Sequence, residues 1–252
     1  MRKGKKSNGS DHMAAVTQEI TMNAKIKSTA IAVALAGLFA AQPAAADTLT
    51  FGGFLNGSVA ATISSTTPLL NPRSVAAGGF SMTNTTPSPD VSFQAWCVDI
   101  FHTLAWSTNY TLQSGASFYA ADPTKANALT HLASQYLSSV TNSATSGAFQ
   151  LAVWEIVNET GITNPLSYSL SGGNFKATSS AAAQAETWLH GINLAGPVTQ
   201  TLSVWQQNHA GSTQDLAAFA PVPEPQTYAM MLAGLGLMGF VARRRKQEQD
   251  YA

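Results

Sequence analysis

Residues 121–137 read ADPTKANALTHLASQYL, and here the chain changes its hydrophobic period. Ala128, Leu129, Leu132, Tyr136 and Leu137 recur at helical spacing, with Asp122 placed to cap the helix and Pro123 at its first position. Upstream the pattern is that of strands. Leu49–Phe51, Gly57–Ile63, Gly79–Thr83 and Val91–Phe101 are β-rich runs bounded by Thr-Pro, Asn-Pro and Pro-Ser-Pro turn signals. Downstream, helices are expected over about Ser146–Thr160, closed by Gly161, and over Ser179–His190, ended by Gly191. Val198–Trp205 and Leu216–Phe219 return the chain to strand. The expectation is an α+β fold, a β-rich body (sandwich or barrel-like) with a small helical subdomain, forming one domain over residues 47–221.

The two ends of the chain read differently. Lys25 and Lys27 precede a small, apolar run from Ser28 to Ala41, Pro43 interrupts it, and Ala44-Ala45-Ala46 stands before Asp47. A basic region, a short apolar stretch and an A-x-A site make residues 22–46 a secretory signal, read by the general secretion machinery. Residues 1–21 lie upstream as a mis-assigned or vector-derived leader, with Met22 a natural start. At the other end, Val222-Pro223-Glu224-Pro225 precedes an apolar stretch at 228–242, followed by Arg243, Arg244, Arg245 and Lys246. This is a rigid spacer, a short membrane-crossing helix and a basic stop that resists translocation. Residues 222–252 closely resemble the PEP-CTERM sorting signal read by exosortases. The resemblance implies a Gram-negative bacterium, transient tethering to the inner membrane through 228–242, removal of the helix near Pro-Glu-Pro, and delivery to the cell surface or biofilm matrix.

Between the ends, three basic residues (Arg73, Lys125, Lys176) face eight acidic ones. Such a balance has no basic patch, so nucleic acid is a poor partner. His102, His131, His190 and His209 show no metal-ligand spacing, no phosphate-binding or dinucleotide fingerprint occurs, and no cofactor is expected. Glu155 and Glu159, four apart on one helical face, read as a solvated face. Cys97 is the only cysteine, so it has no internal disulfide partner. Its position excludes a lipoprotein site. A buried inert thiol, an intermolecular bridge, a nucleophile and an unusual covalent linkage remain.

Trp96-Cys97-Val98-Asp99 lies at a strand, and Phe149-Gln150-Leu151-Ala152-Val153-Trp154 begins a helix. Together they resemble the thioester domains of bacterial surface adhesins, in which an aromatic-Cys-x-Asp motif pairs with Thr-Gln-x-Ala-aliphatic-Trp. The resemblance implies that Cys97 and Gln150 condense to an internal thioester, with Asp99, Ala152 and Trp154 in supporting positions and Phe149 standing where the family has Thr. It also implies covalent coupling to an amine or hydroxyl on a polysaccharide or surface protein, in a single event without turnover. The residues themselves fit that chemistry. Trp96, Phe149 and Trp154 can exclude water, and a Gln150 near a helix start can meet free backbone N–H groups. They also fit plainer roles, with the tryptophans as core, Asp99 as a turn cap and Gln150 as an ordinary polar residue, in a non-covalent matrix or carbohydrate-binding module.

Overall fold

Strict alternation organises the sheets. In Val59–Thr66, Ala61, Ile63 and Ser65 are buried while Ala60, Thr62 and Thr66 are exposed; in Phe80–Asn84 every second residue is buried. One face of each strand therefore builds the core. The computed structural model describes residues 46–105, 107–207, 213–222 and 230–238, which belong to one compact unit, Ala46–Ala252. Nine strands are described: β1 (Asp47–Phe54), β2 (Val59–Thr66), β3 (Leu69–Ala77), β4 (Phe80–Asn84), β5 (Val91–Cys97), β6 (Ser107–Ser114), β7 (Phe175–Ser179), β8 (Gln200–Gln207) and β9 (Leu216–Pro221). Six close into an antiparallel barrel in the order β1-β4-β5-β9-β8-β6, and β3-β2-β7 form a second sheet. The β-rich body expected from the sequence is thus a barrel with an accompanying small sheet.

Three strands were not expected, each for a physical reason. β3 contains Pro72, which reads as a turn signal. The strand lies at a sheet edge, and its register with β2 shifts between Ile63 and Ser65, opposite the Pro72 segment. An edge strand with a bulge tolerates a residue that cannot donate a ladder bond. β6 and β7 are polar (STNYTLQS and FKATS) and gain their strand character from partners far along the chain. β5 also stops at Cys97 and not at Phe101, because residues 98–101 turn away from the ladder.

The helices are α1 (Gly115–Phe118), α2 (Pro123–Tyr136), α3 (Ser143–Asn158) and α4 (Ala182–His190). Asp122 stands at the N-cap of α2 without a capping bond; its carboxylate accepts from the Thr124 hydroxyl instead. α3 starts earlier than its apolar pattern predicts, because Asn142 and Thr145 form a reciprocal capping box. It ends at Asn158, ahead of Gly161, which takes a left-handed φ of 69°. Every residue of α3 from Ser146 to Ile156 is buried, as expected of a helix that is apolar nearly all round. It packs against β2, β3, β5, β7, α2 and α4. Close approach to β2 requires Gly147: a Cβ there would lie 2.2 Å from Val59 Cγ2.

Residues 230–238 are helical and exposed. No helix among the described residues is long and apolar enough to cross a membrane. The expected leader 1–21, signal residues 22–45, Pro223, Glu224, Pro225, the remainder of the 228–242 stretch and Arg243–Lys246 lie outside the described residues. Val222 is described, and its N–H donates to the Thr199 carbonyl.

Candidate functional site

The site arises where a strand ladder runs out. β4 begins at Phe80, opposite Ala95, so no β4 residue pairs with Cys97 two positions further along β5. On the other side of β5, Cys97 stands opposite Leu216 of β9, and the next N–H, of Val98, donates to the Asp215 carbonyl. The N–H and C=O of Cys97 therefore point toward the missing β4 partner. A buried backbone group needs a partner, and the Gln150 side chain of α3 supplies both. Its Oε1 accepts from Cys97 N at 3.0 Å and its Nε2 donates to Cys97 O at 2.8 Å. A side-chain amide thus takes the place of the missing strand partner. Cys97 and Gln150, 53 residues apart in sequence, are 0% and 1% exposed.

This geometry corrects the expected source of oxyanion donors. Gln150 lies in the middle of α3, where helix N–H groups are already bonded; the donor at its acyl oxygen is the N–H of Cys97 itself. The thiol donates to the Asp99 carbonyl at 3.0 Å. Burial, the largest influence, pushes the Cys97 thiol up to about 12, against smaller opposing effects of the Trp154 indole and the Asp99 backbone. Trp154 lies one turn beyond Gln150 on the same helical face, and its indole N–H is buried without a partner of hydrogen-bonding geometry.

Phe149, one residue before Gln150, points elsewhere, into an aromatic cluster. Its ring centroid is 4.5 Å from Trp96, 6.0 Å from Phe219 and 6.4 Å from Trp188. Trp96, Phe149, Ala152 and Trp154 are all buried, so the Cys97–Gln150 contact lies in dry surroundings. Asp99 does cap a turn: Oδ1 accepts from Phe101 N at 2.9 Å, and Oδ2 lies 2.5 Å from His102 Nδ1. Sequence patterns gave no sign of His102 or of Arg73, whose guanidinium donates to the Ile100 carbonyl and fastens the same turn to β3.

Glu155 and Glu159 are not a solvated face. Glu155 is 1% exposed, and its Oε1 accepts from Ser169 N at 2.8 Å. Glu159 Oε1 accepts from the N–H groups of Asn174 and Phe175. Both carboxyls hold the 169–175 segment that leads into β7, and burial pushes Glu155 up to about 8. Among the described residues, no group of three or more His, Cys, Asp or Glu is placed to hold a metal ion; His209 and Trp106 lie outside them.

Residues 221–246 match the PEP-CTERM protein-sorting motif. The motif implies an exported protein, processed by exosortase, tethered at the membrane and then located at the surface. No curated protein matches the chain. Among solved structures, similar chains include the N-terminal thioester domain of the fibronectin-binding protein SfbI from Streptococcus pyogenes (13% identity, TM-score 0.38, 67% of this chain and 95% of that one). Others are the N-terminal thioester domain of a surface protein from Clostridium perfringens (15%, 0.38, 56% and 89%) and the N-terminal domain of the S. pyogenes pilus tip adhesin Cpa (14%, 0.36, 57% and 84%). None of these likenesses assigns a function to this chain.

Proposed function

We propose that this PEP-CTERM protein forms an internal thioester between Cys97 and Gln150 and uses it to attach covalently to amine or hydroxyl groups at the surface or in the matrix of a Gram-negative bacterium. The reading rests on one observation: the Gln150 carboxamide is held, in register and out of water, on the backbone of the residue that carries the thiol. Orientation of this kind replaces a slow encounter by a positioned one. In the bond-forming step the sulfur adds to the Gln150 carbonyl carbon, and the charge that develops on Oε1 meets the Cys97 N–H. The sulfur–carbon bond forms, the carbon–nitrogen bond breaks, and the thiol proton leaves with the nitrogen as ammonia. The Cys97 carbonyl, which accepts from Nε2, orients the departing nitrogen. An external amine or hydroxyl then takes the acyl group, and its proton restores the Cys97 thiol. The domain is consumed in this reaction, so it acts as a single-use tether and not as an enzyme, and it needs no cofactor. The acceptor is an extracellular polysaccharide or a neighbouring surface protein.

A second reading is a non-covalent matrix module. It is favoured by the complete burial of Cys97 and its raised pKa, which keep the thiol protonated and inert at neutral pH. Intact mass of the purified protein separates the two. A mass one ammonia below the sequence, restored by Cys97→Ala and converted by methylamine to a methylamide adduct, is the expected result. A mass equal to the plain sequence, unchanged by methylamine, favours the inert thiol.

A further inference from the structure

A cavity of about 410 Å³ opens beside the turn that follows Cys97. Its size lies in the range of small-molecule sites. Phe51, Phe54 and Phe80 line it as a single aromatic cluster, with ring centroids 5.4 to 6.1 Å apart. Arg73, His102 and Gln214 also line it, and the hydrogen bonding of Arg73 and Gln214 is incomplete. The Arg73 guanidinium donates to Ile100 O, yet its Nε is buried without an acceptor. The one ion pair among the described residues is His102–Asp99, so no carboxylate neutralises Arg73. Gln214 donates through Nε2 to the His102 carbonyl at 2.8 Å, and its Oε1 is buried without a donor.

Buried polar atoms without partners are rare, and each calls for an explanation. Here a part-buried cation with one unmet donor and an amide with one unmet acceptor both line a cavity with an aromatic wall. A single ligand class answers all three features. We propose that this cavity binds a carboxylate-bearing sugar unit, with its carboxylate on Arg73, a hydroxyl donating to Gln214 and its apolar C–H face against the phenylalanine rings. A planar guanidinium suits a carboxylate, and the two flexible polar side chains reach a seated ligand by small rotamer shifts. Binding does not require the thioester, but it bears on that proposed reaction. Asp99 accepts the Cys97 thiol through its carbonyl and holds His102 of the cavity through its carboxylate, so the ligand would sit against the turn that carries the sulfur.

Calorimetric titration of the purified full chain with galacturonate and glucuronate trimers, and with the matching neutral galactose and glucose trimers, tests this. At least one acidic trimer should bind at least tenfold more tightly than its neutral counterpart. Arg73→Gln should abolish that preference and Arg73→Lys should keep part of it. Ser74→Glu adds a negative charge at an exposed lining residue and leaves the core untouched. It should weaken the acidic trimers alone. Cys97→Ala should bind as the wild type does, which separates this site from the fate of the thioester. The proposal is overturned by equal affinity for acidic and neutral trimers, by no binding of either acidic trimer, or by acidic-trimer affinity unchanged in both Arg73→Gln and Ser74→Glu.

Discussion

A Cys97–Gln150 bond would be a cross-link, and its removal has a calculable cost. The bond joins residues 53 positions apart, and closing a loop of that length restricts the unfolded chain by about 4 kcal/mol in the chain-entropy account of cross-links. Methylamine is the gentlest way to remove it. The resulting N-methylamide of Gln150 keeps a carbonyl that can accept from the Cys97 N–H, as Oε1 does in the carboxamide, while the covalent tie is lost. Relative to a total stability of roughly 5–15 kcal/mol, the loss is large, equivalent to a melting temperature lower by roughly 10 °C for a chain of this size. Urea unfolding with and without methylamine, with intact mass on the same samples, measures it. Cys97→Ala should show no response to methylamine in either readout. Wild-type protein that gains methylamine in mass yet unfolds at an unchanged urea midpoint would refute the cross-link energetics. Protein that neither gains mass nor shifts its midpoint would refute the bond itself.

Other expectations follow from the same geometry. Gln150→Leu leaves the N–H and C=O of Cys97 buried and unpartnered, and should cost about 2–5 kcal/mol of stability by urea denaturation; a change under 1 kcal/mol would mean the ladder-completing role is wrong. Gly147→Ala drives a methyl into Val59 and should destabilise by about 1–3 kcal/mol. Adding Val59→Ala should recover part of that loss, because it removes the atoms 2.2 Å from the new Cβ. Glu155 predicts a pH response: its folded pKa is raised from 4.5 to about 8, so the native state holds a proton that the unfolded chain has released. This contribution is complete below about pH 4.5 and is lost as pH rises through about 8. Stability should therefore decline across that window, and Glu155→Gln should flatten the decline. An unchanged pH profile in Glu155→Gln would remove Glu155 as its source.

Much of the site was legible because its two halves are local motifs. The Trp96–Asp99 and Phe149–Trp154 segments can be read as strings, and pairing them needs no knowledge of the intervening 50 or so residues. The donor at the Gln150 carbonyl was not legible. It depends on where β4 begins relative to the end of β5, a matter of register between strands, and on a capping box at Asn142 that moves the helix start upstream. Glu155 and Glu159 misled for a related reason. Spacing says that two carboxyls share a face, whereas whether that face meets water depends on the 169–175 segment folding over it.

The sequence by itself determined the sorting motif at the C-terminal end, the helical period after Asp122, the predominance of strand before it, and the two motifs that single out Cys97 and Gln150. These are properties of contiguous residues, set by local sterics, periodic burial and short-range charge. Tertiary structure alone decided that polar β6 and β7 are strands, that Pro72 sits in an edge strand, and that a glutamine side chain finishes a ladder at the cysteine. It alone gathered Arg73, Gln214 and three phenylalanines around one cavity. The reason is physical: a backbone N–H, a side-chain amide or a carboxyl takes whatever partner the packed fold brings within 3 Å or so, the usual reach of a hydrogen bond, and that partner can lie 53 to 112 positions away in the chain.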